Sequence, residues 1–242
     1  MKIRRLARRA FSRYGMRPTS DPRHIPVPKS VPPTKPRKPR NTLKVARKAV
    51  RDIRREQLIE AAIRAISQHG IGETTIADVV QEAGMANGAV NQYFASKDML
   101  LLEALRAVTG EFREIWHEAR DKAGDDPAAL LEAVTMAQLH PKVCRHERIS
   151  VWVAYWSEVR FRPKYMDVCT ESDAEYGEAL MNACYALAQS GRYKNLDAEK
   201  AGQFLLAAGD GLWVNIMLGL LTRERATDLM RAHLKSVFPR HY

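Results

Sequence analysis

From about residue 48 onward the chain alternates between apolar and polar positions with a helical period, and it keeps that period to its end. A first helix is expected over about 48–69, with Ile59, Ala62, Ile63 and Ile66 on one face and Gly70 and Gly72 as its stop. Further helices are expected at about 96–122, 126–139, 143–160, 164–190, 197–220 and 222–237. Their boundaries are marked by Ser96, Asp126-Pro127, Pro141, Pro163, Gly191, Asp197 and Thr222. No segment alternates with period two for the length of a strand, so the expected fold class is all-α.

One stretch departs from plain amphipathic helix. In Thr75-Ile76-Ala77-Asp78-Val79-Val80-Gln81-Glu82-Ala83-Gly84, Thr75 is the N-cap and Asp78 stands three residues on, where a capping box needs its carboxylate. Ile76, Val79, Val80 and Ala83 face inward, and Gly84 supplies the left-handed turn. Met85 fills the corner between the two helices. A second short helix follows from near Asn87, with Val90 and Phe94 facing in. Asn87, Gly88, Ala89, Asn91, Gln92 and Tyr93 are left on or near the surface. Two short helices joined by a glycine turn can lay the second in a DNA major groove. Asn and Gln can there bond adenine bidentately, while Tyr93 and Lys97 can reach phosphates.

Charge sharpens the picture. The net charge is +11, but residues 1–50 hold 16 of the 39 Lys and Arg and only one of the 28 acids. The remainder is therefore slightly acidic, and affinity for a polyanion has to come from a local motif or from the N-terminal arm. Residues 1–47 hold eight of the twelve prolines and read as a disordered basic arm. Three readings of it stand side by side: added phosphate affinity, an Arg-rich targeting helix in the first 15 residues, or an inert tail upstream of a start at Met16. Three scattered cysteines fit reduced, mostly buried thiols in a cytoplasmic protein. No apolar run is long enough for a transmembrane helix, and no membrane partner is expected.

The chemistry of an enzyme is not visible. The sequence has no P-loop, GxGxxG, HExxH or GxSxG, and its seven histidines are scattered. Cys144-Arg145-His146 is the nearest approach to a metal or nucleophile pair. No catalytic residue, metal or cofactor is expected.

The body past residue 120 carries two aromatic segments. Trp152, Tyr155 and Trp156 share one helical face, and Asp210 stands three residues before Trp213 on another helix. Aromatic faces with a carboxylate suit a quaternary ammonium, although a Trp/Tyr stripe also serves as ordinary core.

The string from Thr75 to Tyr93-Phe94-Ala95-Ser96-Lys97 closely resembles the DNA-binding signature of the TetR family. The resemblance covers about 50–105 and departs at Val80 and Ala86, where the family commonly has a small residue and a serine. It implies a DNA head over 48–105 and a ligand-binding and dimerisation body over 106–242. It also implies phosphate contacts from Thr75, Tyr93 and Lys97. More loosely, Val151–Trp156, Asp210–Trp213 and the closing helix to Phe238-Pro239 are similar to the BetI type, the choline-sensing repressors of glycine betaine synthesis. That similarity implies a ligand-gated repressor of a palindromic operator on double-stranded DNA. The effector would be choline or another quaternary ammonium at Trp152, Tyr155, Trp156, Asp210 and Trp213. The alternative is a regulator of another pathway with a different small molecule. A homodimer is implied through the last two helices, with Leu205, Leu212, Ile216, Leu220 and Leu229 in its interface; the other reading of these residues is that they only close the monomer core.

Overall fold

The last proline of the basic arm is Pro39, and a helix starts at the next residue. The computed structural model describes residues 40–242, with side chains from Lys44 onward, so the expectations for the arm upstream of Arg40 lie outside the described residues. Within that range all regular structure is helical: α1 (Arg40–Glu73), α2 (Ile76–Ala83), α3 (Ala89–Tyr93), α4 (Lys97–Ala123), α5 (Pro127–Ala137), α6 (His146–Glu158), α7 (Pro163–Ser190), α8 (Ala198–Met217) and α9 (Arg223–Val237).

The first helix begins eight residues before the expected start at 48. The reason is local. Between Asn41 and Arg55 the chain holds Leu, Ala, Lys and Arg with no proline or glycine, a composition that propagates a helix once the prolines stop. At its other end Gly70 takes φ 76° and ψ 165°, which kinks the helix where the sequence places its stop.

Four helices build the head. Leu58, Ile59, Ala62, Ile63 and Ile66 of α1 are buried, together with Val79 and Val80 of α2, Val90 of α3, Phe94 just after it, and Leu100, Leu101 and Leu105 of α4. α4, 27 residues long, runs from the head into the body and brings Phe112 and Trp116 to the part of the same continuous core formed with α5 to α9. Its start is capped by the Ser96 hydroxyl, which accepts from the Met99 amide at 3.2 Å. Asp126, Asp197 and Thr222 cap α5, α8 and α9 in the same way.

The two longest helices of the body, α7 and α8, approach closely where side chains are small. A Cβ on Gly202 would lie 2.9 Å from Cγ and 3.0 Å from Cα of Met181. Three tyrosine hydroxyls, two of them buried, tie elements together through backbone carbonyls: Tyr155 donates to Leu101, Tyr176 to Val134 at 2.9 Å, and the half-buried Tyr242 to Ala128 at 2.6 Å. No described helix is long and apolar enough to cross a membrane.

Candidate functional site

The corner between α2 and α3 is built from its sequence residue by residue. The Thr75 hydroxyl accepts from the Asp78 amide at 3.2 Å, and Asp78 Oδ2 accepts from both the amide and the hydroxyl of Thr75 at 2.7 Å. These hydrogen bonds from Thr75 hold the Asp78 carboxyl below its ordinary value. Thr75 is thus occupied as a cap while remaining on the surface. At the far end Gly84 adopts φ 62° and ψ 36°, and the amide of Met85 donates to the Val80 carbonyl at 2.9 Å, which reverses the chain.

α3 is shorter than the sequence pattern suggests. It starts at Ala89, and Asn87 and Gly88 form the turn before it. Gly88 and its predecessors offer no side-chain cap, so the helix begins only where the Ala89 amide bonds back to Ala86 at 2.8 Å. Val90 and Phe94 anchor it in the core, while Asn87, Gly88, Asn91 and Gln92 are exposed. Ala89, Tyr93 and Lys97 are half-buried. The outer face therefore presents amide side chains with a tyrosine and a lysine at its C-terminal side.

In the body, three of the five residues expected around the effector converge. The rings of Trp152 and Trp156 on α6 and Trp213 on α8 lie 5.9–6.3 Å apart, with Trp156 and Trp213 nearly parallel at 11°. Asp210 lies one turn before Trp213 on α8. Tyr155 does not join them. Its ring packs edge-on against Tyr165 at 4.8 Å and its hydroxyl is taken by Leu101, so it closes the core beneath α4. One face of a helix spans enough arc for residues at i+3 and i+4 to reach different neighbours. Phe161, just beyond α6, is 75% exposed.

Residues the sequence pattern did not single out complete the cluster. Phe112 packs edge-on against both Trp213, at 5.7 Å, and Tyr176, at 4.8 Å, and Trp116 lies 5.7 Å from Tyr176. The i, i+4 spacing of Phe112 and Trp116 was a readable signal on α4; the place of Tyr176 on α7 was not. Gln138, after α5, is buried against this group. Its backbone carbonyl accepts from the Trp213 indole at 2.7 Å, and its side-chain amide nitrogen has no partner. The Thr135 hydroxyl is also buried without a partner.

The electrostatics of this cluster are negative. Burial, reinforced by the charge of Asp173, pushes the Asp210 carboxyl up to about 6. Asp173 reaches solvent, yet loss of hydration among its neighbours also raises it to about 6. A positive charge beside these carboxylates would relieve both penalties.

Cys144 and His146 do not act as a pair. The Cys144 thiol donates to the Gln138 carbonyl at 3.5 Å, while His146 Nδ1 sits 3.3 Å from the hydroxyls of both Ser67 and Ser150. Burial raises Cys144 to about 11 and Cys169 and Cys184 to about 12, which leaves all three as thiols at neutral pH.

The last two helices divide the expected interface residues. Leu205 is 1% exposed and packs inside the subunit, so it closes the subunit's own core and is not free for a partner. Leu212 and Ile216 are half-buried against that core. Leu220 and Leu229 are exposed, and Phe204 and Leu218, which the sequence pattern did not mark, are exposed with them.

A helix-turn-helix head with an amide-bearing second helix, joined by one continuous helix to an aromatic-lined helical body, is the architecture of a DNA-binding transcriptional regulator. Comparison with known proteins agrees at the level of family. Residues 58–104 match the model of bacterial regulatory proteins of the tetR family, and residues 127–239 match that of the BetI-type transcriptional repressor C-terminal domain. The chain is 33% identical over 180 residues to the HTH-type transcriptional regulator BetI of Burkholderia thailandensis, covering 68% of this chain and 82% of that one. It is 30% identical to the regulator BetI of Stenotrophomonas maltophilia over 168 residues, 69% of this chain and 83% of that one. Among solved structures, a transcriptional regulator of Pseudomonas aeruginosa PAO1 aligns with a TM-score of 0.67 at 27% identity, over 78% of this chain and 93% of that one. A regulator of Saccharomonospora viridis in complex with choline aligns with a TM-score of 0.64 at 27% identity, over 75% and 93%. The chain belongs to the TetR family of transcriptional regulators and carries a BetI-type C-terminal domain. Its work is DNA-bound regulation, and the family is not one of enzymes.

Proposed function

We propose that the chain is a cytoplasmic homodimeric repressor that holds a palindromic operator and is gated by choline or a closely related quaternary ammonium, and that it controls genes of choline conversion to glycine betaine. The observation that carries the ligand reading is the group of Trp152, Trp156 and Trp213 beside Asp210, with Asp173 as a second carboxylate. Indole faces attract a methylated ammonium by about 0.5–2 kcal/mol each when desolvated. The unpartnered Gln138 amide nitrogen, which can donate, and the Thr135 hydroxyl supply polar groups that a bare hydrophobic core has no use for, and a ligand hydroxyl could satisfy them. The similarity to BetI regulators and to a regulator bound to choline supports the same choice.

On the DNA side, Asn91 and Gln92 read base edges, Asn87, Gly88 and Ala89 approach the groove with the N-terminal end of α3, and Tyr93, Lys97 and Thr75 hold phosphates. Leu220 and Leu229, with Leu212 and Ile216 behind them, meet their copies across the dimer. A two-fold dimer places two α3 helices on successive turns of one face of the duplex. Ligand binding shifts the equilibrium toward the state in which the heads no longer match that spacing, by its differential affinity for the two states.

The test is fluorescence anisotropy on DNA from upstream of the chain's own gene, against a scrambled duplex, with and without choline. Specific binding that weakens with choline supports the whole reading. Specific binding untouched by choline keeps the regulator and removes the ligand.

A further inference from the structure

α1 starts well before the part of the chain that matches the tetR model, which begins at residue 58. From Lys44 to Arg54 every residue is exposed, and nothing from Lys44 to Gln57 is buried. Between Lys44 and Arg55 six bases, Lys44, Arg47, Lys48, Arg51, Arg54 and Arg55, stand against the single acid Asp52. At 3.6 residues per turn they fall within an arc of about 120°, with Val45, Ala46, Ala49, Val50 and Ile53 on the opposite side. A solvated helix does not need its charges sorted by face, and this one has them sorted.

The root of the stripe is fixed beside the recognition helix. The Arg55 guanidinium lies over the ring of Phe94, 5.1 Å from its centroid, and pairs with Glu103 of α4. Phe94 is the residue that closes α3. From Arg55 back to Lys44 the helix extends for about 16 Å, at 1.5 Å per residue, which equals the rise of about five base pairs. We propose that this basic face of the α1 extension is a second DNA surface, laid along backbone phosphates next to the half-site that α3 reads. The inference rests on the reading of the chain as an operator-binding regulator and adds to it a surface outside the helix-turn-helix. It touches phosphates, so it adds affinity and salt dependence without sequence preference. Clustered Lys and Arg with no amide or aromatic among them fit that role.

The test uses the full chain and the variant Lys44→Gln, Arg47→Gln, Lys48→Gln, Arg51→Gln, with circular dichroism to check that helix content is kept. Operator and scrambled duplex are titrated across a salt series. The expected result is a plot of log affinity against log salt that is shallower by about 0.9 for each phosphate no longer neutralised, up to about 3.6 for four, on both duplexes. The ratio of operator to scrambled affinity stays the same. Hydroxyl-radical footprinting should show protection shortened by about five base pairs on the outer side of each half-site. An unchanged slope and footprint would overturn the proposal. So would a collapse of the operator-to-scrambled ratio, which would place the stripe in base reading. Vesicles of phosphatidylserine provide the contrast: a variant that keeps its DNA slope but no longer binds them assigns the stripe to lipid, and the proposal falls. If the wild type shows no operator preference but the variant still loses slope, the stripe stands as a DNA surface and the repressor reading fails instead.

Discussion

Arg148 on α6 donates from one guanidinium nitrogen to both carboxylate oxygens of Glu60 on α1, at 2.9 and 3.1 Å, and from Nε to Glu111 on α4 at 2.7 Å. Its side chain is 8% exposed. Four residues further along the same helix, Trp152 enters the tryptophan cluster. One turn of α6 thus carries both a clamp on the DNA head and a wall of the candidate effector site. Arg148→Met should leave two carboxylates facing without their cation and lower stability by about 3 kcal/mol, measured by urea unfolding. It should also weaken the effect of choline on operator affinity more than it weakens choline binding itself, which indole fluorescence reports. Equal losses in both would make Arg148 a structural clamp only.

Affinity for a quaternary ammonium should depend on pH through Asp210 and Asp173. Both carboxyls are raised to about 6, so below that value both hold their protons and offer no charge. Choline affinity should rise from pH 5 to pH 7, by up to about tenfold per unit for each proton released on binding. Without ligand the sign for stability is the opposite. A carboxyl raised on folding favours the folded state at low pH and loses that contribution as pH rises from the ordinary Asp value through 6. Calorimetry across the series checks the first trend, and Asp210→Asn should flatten it. A profile with no slope would remove the carboxylates from the site.

The helical frame and the corner between α2 and α3 were legible in the sequence because their causes are local. Ser96, Asp126, Asp197 and Thr222 cap the helices they precede, and Thr75 with Asp78 and Gly84 form the corner as their spacing predicts. The body was legible only in part. The pattern found the tryptophans of α6 and α8, but it could not separate Tyr155, which turns to Tyr165 and Leu101, from Trp152 and Trp156. Tyr176 and Gln138 come from elements whose approach depends on how α5, α7 and α8 pack. Leu205 failed as an interface residue for a related reason, since periodicity marks an apolar face without saying whether the subunit's own core or a partner covers it. The early start of α1 was hidden by the prolines just upstream.

Gly209 is held as glycine by Gln138. A Cβ there would lie 1.6 Å from Gln138 Oε1, and Gln138 is 1% exposed, its backbone held by the Trp213 indole. Gly209→Ala must expel the glutamine side chain and should destabilise by about 1–3 kcal/mol while removing choline binding. Gly211→Ala, two residues on in α8, meets nothing within 4 Å and should stabilise by about 0.5–1 kcal/mol. Thermal unfolding of the pair distinguishes a packing constraint at Gly209 from a general effect of alanine in α8.

The assignment of α3 as the reading helix yields the sharpest prediction on DNA. Asn91 and Gln92 are exposed on a helix anchored by Val90 and Phe94, so truncating them should leave the fold intact. Asn91→Ala and Gln92→Ala should each cost about 1–3 kcal/mol of operator affinity if the side chain bonds a base, and should leave affinity for scrambled duplex and its salt slope unchanged. Tyr93→Phe and Lys97→Gln should behave in the other way, lowering affinity on both duplexes together, and Lys97→Gln, which removes a cation, should also flatten the salt dependence. The two patterns separate base reading from phosphate holding within one anisotropy experiment. If the double variant of Asn91 and Gln92 binds operator as well as the wild type, base recognition belongs to the turn at Asn87 and Gly88 or to another element, and α3 is left as a scaffold.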